Sequence, residues 1–385
     1  MYVQPNDQNI SIKYEYKGGD FRMSKKFVII GAGNGGQSLA GDMSIRGVEV
    51  QAIYDKNENA IRPIAKNGGI KMSGPVVQGF GHVKKATINL EEAMNAGDVF
   101  LVAITSNFHR ELASEMAPYI RPEHTVVLLP GYVGSSISFA KTLMKCGVKE
   151  LPLIGESLSF PYATRLLEPA HAGIKARKLA LPVAAFPANR NQEFIEIVKQ
   201  AIPEAILSQN TLEVGLNNSN PTTHVAFYLF NMGKVESPDV KDADFHSWGT
   251  PSVVRIQYAM DNERMEILKA LGFKPISYDE FHDICYKGEH YKPIKQSNEI
   301  QSNASQVPNR FIDEDVPMGL IPMQELGRKL GVPTPTIDVL ILMANLVRGK
   351  DFSKEGTSLE IMGIDGKNKE EIISFVNGEE ELALS

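Results

Sequence analysis

The sequence predicts an α/β protein in two parts: a doubly wound parallel sheet over residues 23–205, then a mainly helical second domain over 206–385. Three observations predict it. A short apolar run, Phe27 to Ile30, leads at once into a glycine-rich turn and then a helical pattern. Further apolar runs alternate with helical stretches as far as Phe186, the signature of strands joined by crossover helices. Beyond about residue 205 the strand-like runs stop and helices with clear stop signals take over. A length of 385 residues also favours two domains, each able to bury a core.

In the first part, Lys26 to Ile30 is expected as a buried strand, Gln37 to Arg46 as a helix, and Val48 to Tyr54 as a second strand. Between the first strand and the helix, Gly31, Gly33 and Gly36 fit G-x-G-x-x-G. Gly31 allows the tight turn, Gly33 lets backbone approach a pyrophosphate, and Gly36 lets the helix pack on the strand. The motif alone is weak, but here it sits between strand and helix, and Asp55 closes the second strand about 20 residues on. This context predicts a Rossmann-type dinucleotide site at Gly31, Ala32, Gly33, Asn34, Gly35, Gly36 and Asp55. A carboxylate at Asp55 suits the ribose hydroxyls of NAD and repels a 2′-phosphate; Lys56 beside it leaves NADP open. Val99 to Ile104, Glu111 to Ile120, Thr125 to Leu129, Ser135 to Lys145, Leu181 to Phe186 and Gln192 to Ala201 continue the alternation. His109, after one of these strands, is either a cofactor contact or a polar residue opening a helix.

In the second part, one long helix is expected from Thr211 to about Gly233, carrying NNSNPTTHVAFYLFN in its middle. An interior Pro221 costs roughly 3 kcal/mol and kinks the chain, so the run points to something besides helix stability. Either the bend aims His224 into an interdomain cleft, with Asn217 or Asn220 capping backbone or touching a ligand, or the helix is merely kinked. Glu263 to Leu271, stopped by Gly272, and Met323 to Leu330, stopped by Gly331, are further helices; Asp338 to Val347 is apolar and expected to be buried.

Composition narrows the function classes. A formal charge of −6 without a basic run argues against nucleic acid. Cys146 and Cys285 make no disulfide framework, no apolar run approaches the ~20 residues of a membrane span, and the N-terminus lacks a signal-peptide core, so a cytoplasmic protein is expected. Residues 1–22 precede Met23, and Lys17-Gly18-Gly19-Asp20 is compatible with purine-rich DNA of the kind before bacterial start codons. That segment is either upstream sequence read as protein or a disordered tail.

Several blocks in order, GAGNGG, ESLSFPYATR (156–165), NNSNPTTHVAFYLFNMG (217–233), GTPSVVRIQYAMDNERMEILKALG (249–272) and RFIDEDVPMGLIPMQELGRKLGVPTP (310–335), closely resemble the opine dehydrogenases. The resemblance runs from about Lys25 to Arg348. It implies NAD(P)H-dependent reductive condensation of an amino acid's amine with a 2-oxo acid, usually pyruvate. It also implies His224, after Asn220-Pro221, as the catalytic histidine, with Arg310 and Asp315 filling the family's Arg and Asp positions. The family's PYAC-Arg reads PYAT-Arg here, so Thr164 stands where a cysteine contacts the oxo acid.

The chemistry asks for the same groups. Moving protons during imine formation suits histidine oriented by a carboxylate, and a guanidinium binds a substrate carboxylate through two parallel hydrogen bonds. On spacing alone, a core histidine and a surface Arg310–Asp315 ion pair account for these residues better than a site does; the resemblance reverses that preference. His282, Cys285 and His290 lack a fourth ligand at zinc-like spacing, so no metal is expected. Trp248 is a pocket wall or a core anchor. Rival functions are a ketopantoate- or glycerol-phosphate-type reductase, which needs a lysine absent from LEVGLNNSNPTTH, a hydroxy-acid dehydrogenase, and a non-catalytic NAD sensor. Arginine, alanine, lysine, methionine, histidine or a metal-chelating amine would all serve as amine donor, and a homodimer is the assembly considered.

Overall fold

The computed structural model describes residues 25–237, 245–286 and 309–379. Its strands are β1 (Phe27–Ile30), β2 (Val50–Tyr54), β3 (Gly69–Ser73), β4 (Gly79–His82), β5 (Ala86–Thr87), β6 (Val99–Val102), β7 (Thr125–Leu128), β8 (Leu153–Ser157), β9 (Tyr162–Glu168), β10 (His171–Arg177), β11 (Leu181–Phe186) and β12 (Ala205–Leu207). Eight of them form one sheet in the order β12-β11-β8-β7-β6-β1-β2-β5, parallel throughout except for β8 against β11. Strands β1, β6, β7 and β8 are buried along their whole length, as a sheet covered on both faces requires; β1 and β6 are unbroken apolar runs, whereas β8 carries Glu156 and Ser157 into the interior. The chain moves outward from β1 to β2, then returns to build β6, β7 and β8 on the other side. The switch lies between β1 and β6, whose carboxyl ends open the ligand crevice.

The expected strands at β1, β2, β6, β7 and β11 lie within two residues of their observed ends. A second, four-stranded sheet in the order β4-β3-β10-β9 went unseen in the sequence. Strands β3 and β4 are short and glycine-bearing, and β4 and β9 are mostly half-buried or exposed, which blurs any alternation. This sheet packs on the helix Asn34–Ile45, where Gly41 and Gly81 let helix and strand backbones touch.

The helical half differs from expectation where it matters. There is no long kinked helix: Thr211–Leu216 ends, Asn217 to Ser219 break the chain, and a new helix runs Asn220–Leu229. Pro221 occupies the first turn of that helix, where its missing N–H has no partner to lose and its fixed φ favours initiation. Asn218 reinforces the start by accepting from the Asn220 N–H at 3.0 Å. Helix Pro335–Arg348 is also not wholly buried. Ile337, Leu340, Ile341 and Ala344 face the core, while Val339, Leu342 and Leu346 lie on the opposite, exposed face, as the 3.6-residue period dictates.

One core is continuous from the sheet residues Phe100 and Val126 through Leu212 and Val225 to Ile312 and Leu326, so sheet and helices fold against each other. No helix among the described residues is long and apolar enough to cross a membrane. Residues 1–22 and His290 lie outside the described residues.

Candidate active site

The glycine loop is built from backbone. Gly31 adopts φ +103°, and a Cβ there would strike the Ala103 carbonyl, so the loops after β1 and β6 meet only because it has none. A Cβ at Gly36 would collide with the Gly31 carbonyl, which brings the helix start close under the turn. Gly33 faces open space and caps the helix Asn34–Ile45 without any side-chain bond, leaving first-turn N–H groups free for an anion. Asp55 Oδ2 accepts from Ala32 N at 2.7 Å and Oδ1 from Asn57 N at 2.8 Å, and each oxygen retains a lone pair for a ribose hydroxyl. Lys56 is turned to Glu111 (2.7 Å) and Glu115 (2.6 Å), which draws its charge away from where a 2′-phosphate would sit. These residues fit an NAD-type dinucleotide.

Across the crevice, helix Asn220–Leu229 presents His224. A Cβ at Gly319 would strike the Pro221 ring, so that glycine lets the helix start press against the π-helical turn Val316–Leu320 directly after Asp315. The contact joins the residues in space: His224 Nδ1 lies 3.0 Å from Asp315 Oδ2. The Asp315 carboxylate is fully buried, and its other oxygen accepts from the Tyr132 hydroxyl at 2.9 Å. Burial, reinforced by Asp315, pushes the Tyr132 phenol well up, so it stays a donor. The His224 ring stacks on Phe311 at 4.0 Å, and Phe245 lies against both rings. About a tenth of the side chain stays open, and Nε2 has no partner among the described residues. A histidine bound at Nδ1 by a carboxylate, with Nε2 unbonded and the ring partly open, can take and return a proton.

Glu314 points the other way. Its Oε1 accepts from Ser106 N (2.7 Å) and Oγ (3.0 Å) on the loop after β6, and its Oε2 stands 3.4 Å from Arg310. Burial, and then Asp315, push the Glu314 carboxyl up. Arg310 remains 47% exposed, with its guanidinium free for a further anion.

The other expected residues fall elsewhere. The Thr164 hydroxyl donates to the Gly173 carbonyl at 2.9 Å and pairs with Ser38, tying β9 to the glycine-loop helix rather than facing His224. Asn220 is a half-buried helix opener, and Asn217 binds Lys274, Ile276 and Arg264 in the interior. His109 is buried, and burial drives its imidazole down to about 4. Trp248 is buried behind Phe245 as the second layer of the aromatic wall. Cys285 is buried with its thiol 3.7 Å from the Ala180 carbonyl.

Tyr132, Ser106, Glu314, Phe311 and Phe245 were not singled out from sequence. Tyr132 carried one signal, an aromatic inside the Gly131–Gly134 turn at a strand's carboxyl end. Glu314 was hidden in the acidic run Asp313-Glu314-Asp315.

Residues 207–348 match the family described as NAD/NADP octopine/nopaline dehydrogenase, alpha-helical domain, and residues 26–128 match NADP oxidoreductase coenzyme F420-dependent. The opine dehydrogenase of Arthrobacter sp. (strain 1C) is 30% identical over 352 residues, covering 89% of this chain and 96% of that protein. Protein ocs of Agrobacterium tumefaciens (strain Ach5) is 24% identical over 92% of this chain and 99% of its own. Octopine dehydrogenase structures share the fold. The complex with NADH and agmatine has a TM-score of 0.72 and 18% identity, and that with NADH and pyruvate 0.71 and 17%; both cover 94% of this chain and 100% of theirs. With the dinucleotide crevice on one side and the His224–Asp315 pair on the other, the chain belongs to the opine dehydrogenase family of NAD(P)-dependent oxidoreductases that act on CH–NH groups.

Proposed function

We propose that this chain condenses the amine of an amino acid with a 2-oxo acid, pyruvate by preference, and reduces the imine to an N-(carboxyalkyl) amino acid. The observation that carries the reading is the His224–Asp315 pair, held opposite the glycine loop beside Arg310. Residues 23–205 hold the dinucleotide and 206–385 supply the substrate chemistry. Asp55, with Lys56 drawn off by two glutamates, favours NAD over NADP.

An amino acid arrives as an ammonium ion and cannot attack a ketone. His224 Nε2 takes one ammonium proton, and Asp315 stabilises the imidazolium through Nδ1. The free amine adds to the carbonyl carbon as the C=O π bond breaks, and one nitrogen proton passes to the oxygen to give the neutral carbinolamine. His224 then returns the proton to the carbinolamine hydroxyl, which leaves as water and yields the iminium ion. Bound NAD(P)H supplies the hydride that reduces the iminium carbon to the secondary amine. Arg310 holds the oxo-acid carboxylate and fixes which face of the carbon is presented.

The test follows NADH oxidation with pyruvate, with and without each amino acid. Turnover that needs both supports the reading. Oxidation with pyruvate alone identifies a hydroxy-acid dehydrogenase, and cofactor binding without turnover a sensor.

The setting proposed is cytoplasmic and the assembly a homodimer. Val339, Leu342 and Leu346, the last 75% exposed, share one face of helix Pro335–Arg348 and give a second copy an apolar surface to cover. Light scattering should then give twice the chain mass for the natural protein and the chain mass for Leu342→Glu/Leu346→Glu; a natural monomer refutes the dimer.

A further inference from the structure

Arg165 lies on β9, the edge strand of the smaller sheet. Its neighbours fix its place. The Leu166 N–H donates to Asn34 Oδ1 in the glycine loop at 3.0 Å, so β9 borders the dinucleotide crevice. The Thr164 side chain faces the glycine-loop helix through Ser38, and alternation along a strand turns Arg165 to the opposite face. There its charge is close enough to Arg310 for the two to repel, and burial followed by that repulsion pushes the Arg165 guanidinium down. The side chain is half-buried, yet among the described residues it has no hydrogen bond and no ion-pair partner. Arg310, by contrast, has Glu314. Two guanidinium groups near enough to repel, of which only Arg310 has a carboxylate partner, are unfavourable in the free protein, and bound anions relieve the repulsion.

The reaction proposed above brings two carboxylates to the crevice, one from each substrate, and its product carries both on either side of one nitrogen. We propose that Arg165 is the second carboxylate-binding residue: it holds the carboxylate of the amino-acid substrate while Arg310 holds that of the 2-oxo acid. This rests on the proposed function. Arg310, five residues before Asp315, is placed for the carboxylate next to the reacting carbonyl. Arg165, reaching in from the small sheet, is placed for the far end of the condensed molecule. The pair then fixes the direction in which the imine lies across the crevice.

The test uses the full-length protein with NAD⁺ and a minimal two-carboxylate secondary amine, iminodiacetate, compared with N-methylglycine, which has one carboxylate. Binding is read by calorimetry for the natural protein, Arg165→Met and Arg165→Lys, after melting curves show each variant folded. The natural protein should bind iminodiacetate more tightly than N-methylglycine. Arg165→Met should weaken iminodiacetate about tenfold to a hundredfold and erase the difference, with Arg165→Lys between. In turnover, Arg165→Met should raise KM by a similar factor for L-arginine, L-lysine or L-histidine, whichever reacts, and leave KM unchanged for the matching decarboxylated amine (agmatine, cadaverine or histamine). NADH affinity should stay within about twofold. A preference for iminodiacetate that survives Arg165→Met overturns the inference, as does its absence from the natural protein. Loss of NADH affinity in Arg165→Met would instead assign the residue to a cofactor phosphate. If no amino acid supports turnover in the natural protein, the proposed function fails, and the iminodiacetate comparison still judges Arg165.

Discussion

Ala32 and Asp55, which bond to each other in the dinucleotide crevice, are 23 residues apart; His224 and Asp315 are 91 apart, and Tyr132 and Asp315 are 183 apart. The glycine loop is made by a strand, a turn and a helix in succession, and most of what it offers a ligand is backbone N–H. The proton-handling side is made of side chains from three distant segments, with both oxygens of the Asp315 carboxylate held by other side chains. The two should therefore fail differently. A backbone site tolerates most changes of side chain but not the gain of a Cβ at Gly31 or Gly36, whereas a side-chain site is lost by deleting one atom group.

The sharpest break of this contrast is His224→Ala. Losing a general acid/base costs about 10²–10⁴ in rate, so kcat should fall by that factor while NADH affinity, set by the glycine loop, holds. Asp315→Asn should lose less, and the double variant should be little worse than His224→Ala, since non-additivity marks a shared task. Wild-type turnover in folded His224→Ala would remove the residue from the mechanism.

Tyr132→Phe comes next, because it takes away one donor to the buried Asp315 carboxylate and nothing from the cofactor loop. We expect kcat to drop about three- to thirtyfold with NADH affinity unchanged, and little further loss when Asp315→Asn is added. Additive losses would mean that Tyr132 acts on something other than the pair.

The glycine side is tested through cofactor choice. Asp55→Ser should narrow the advantage of NADH over NADPH in kcat/KM by removing the repelling carboxylate. Glu111→Gln/Glu115→Gln should narrow it further by freeing Lys56 to meet the 2′-phosphate. A natural enzyme that prefers NADPH would mean that Lys56 already turns.

The smallest effect is on stability. Burial pushes the Glu156 carboxyl up to about 8, so the folded protein keeps a proton that the unfolded chain releases above its ordinary 4.5. This group's stabilisation is complete below about 4.5 and is lost as pH rises through about 8. Glu156→Gln, neutral throughout, should make the fall in Tm across that window shallower; identical slopes would show that Glu156 is not the group responsible.

The same division explains what was legible in the sequence. The strand–glycine–helix unit and Asp55 announce themselves because geometry and chemistry fall within a few turns of chain. The second side was legible only through resemblance, since nothing local ties His224 to Asp315. Pro221 misled for a physical reason: a proline in a run of apolar and polar residues reads as a kink, but here Asn217 to Ser219 had already ended one helix. The small sheet was hidden by glycine and exposure, and with it the setting of Thr164 and Arg165. Tyr132 and Ser106 were invisible because their partners lie some 200 residues away, in the other half of the chain.

Those last two contacts set a condition on rebuilding the enzyme. Ser106 grips Glu314 and Tyr132 grips Asp315, so two adjacent carboxylates of the helical half are seated by hydroxyls that belong to the sheet half. A chimera that joins residues 206–385 to a different dinucleotide domain would inherit His224 and Asp315 but bury Asp315 with an empty acceptor, at a cost of about 1–3 kcal/mol. To transplant the chemistry, the recipient must also receive a hydroxyl at each of these two loops. Co-inheritance of the halves is thus written into four atoms on the seam between them.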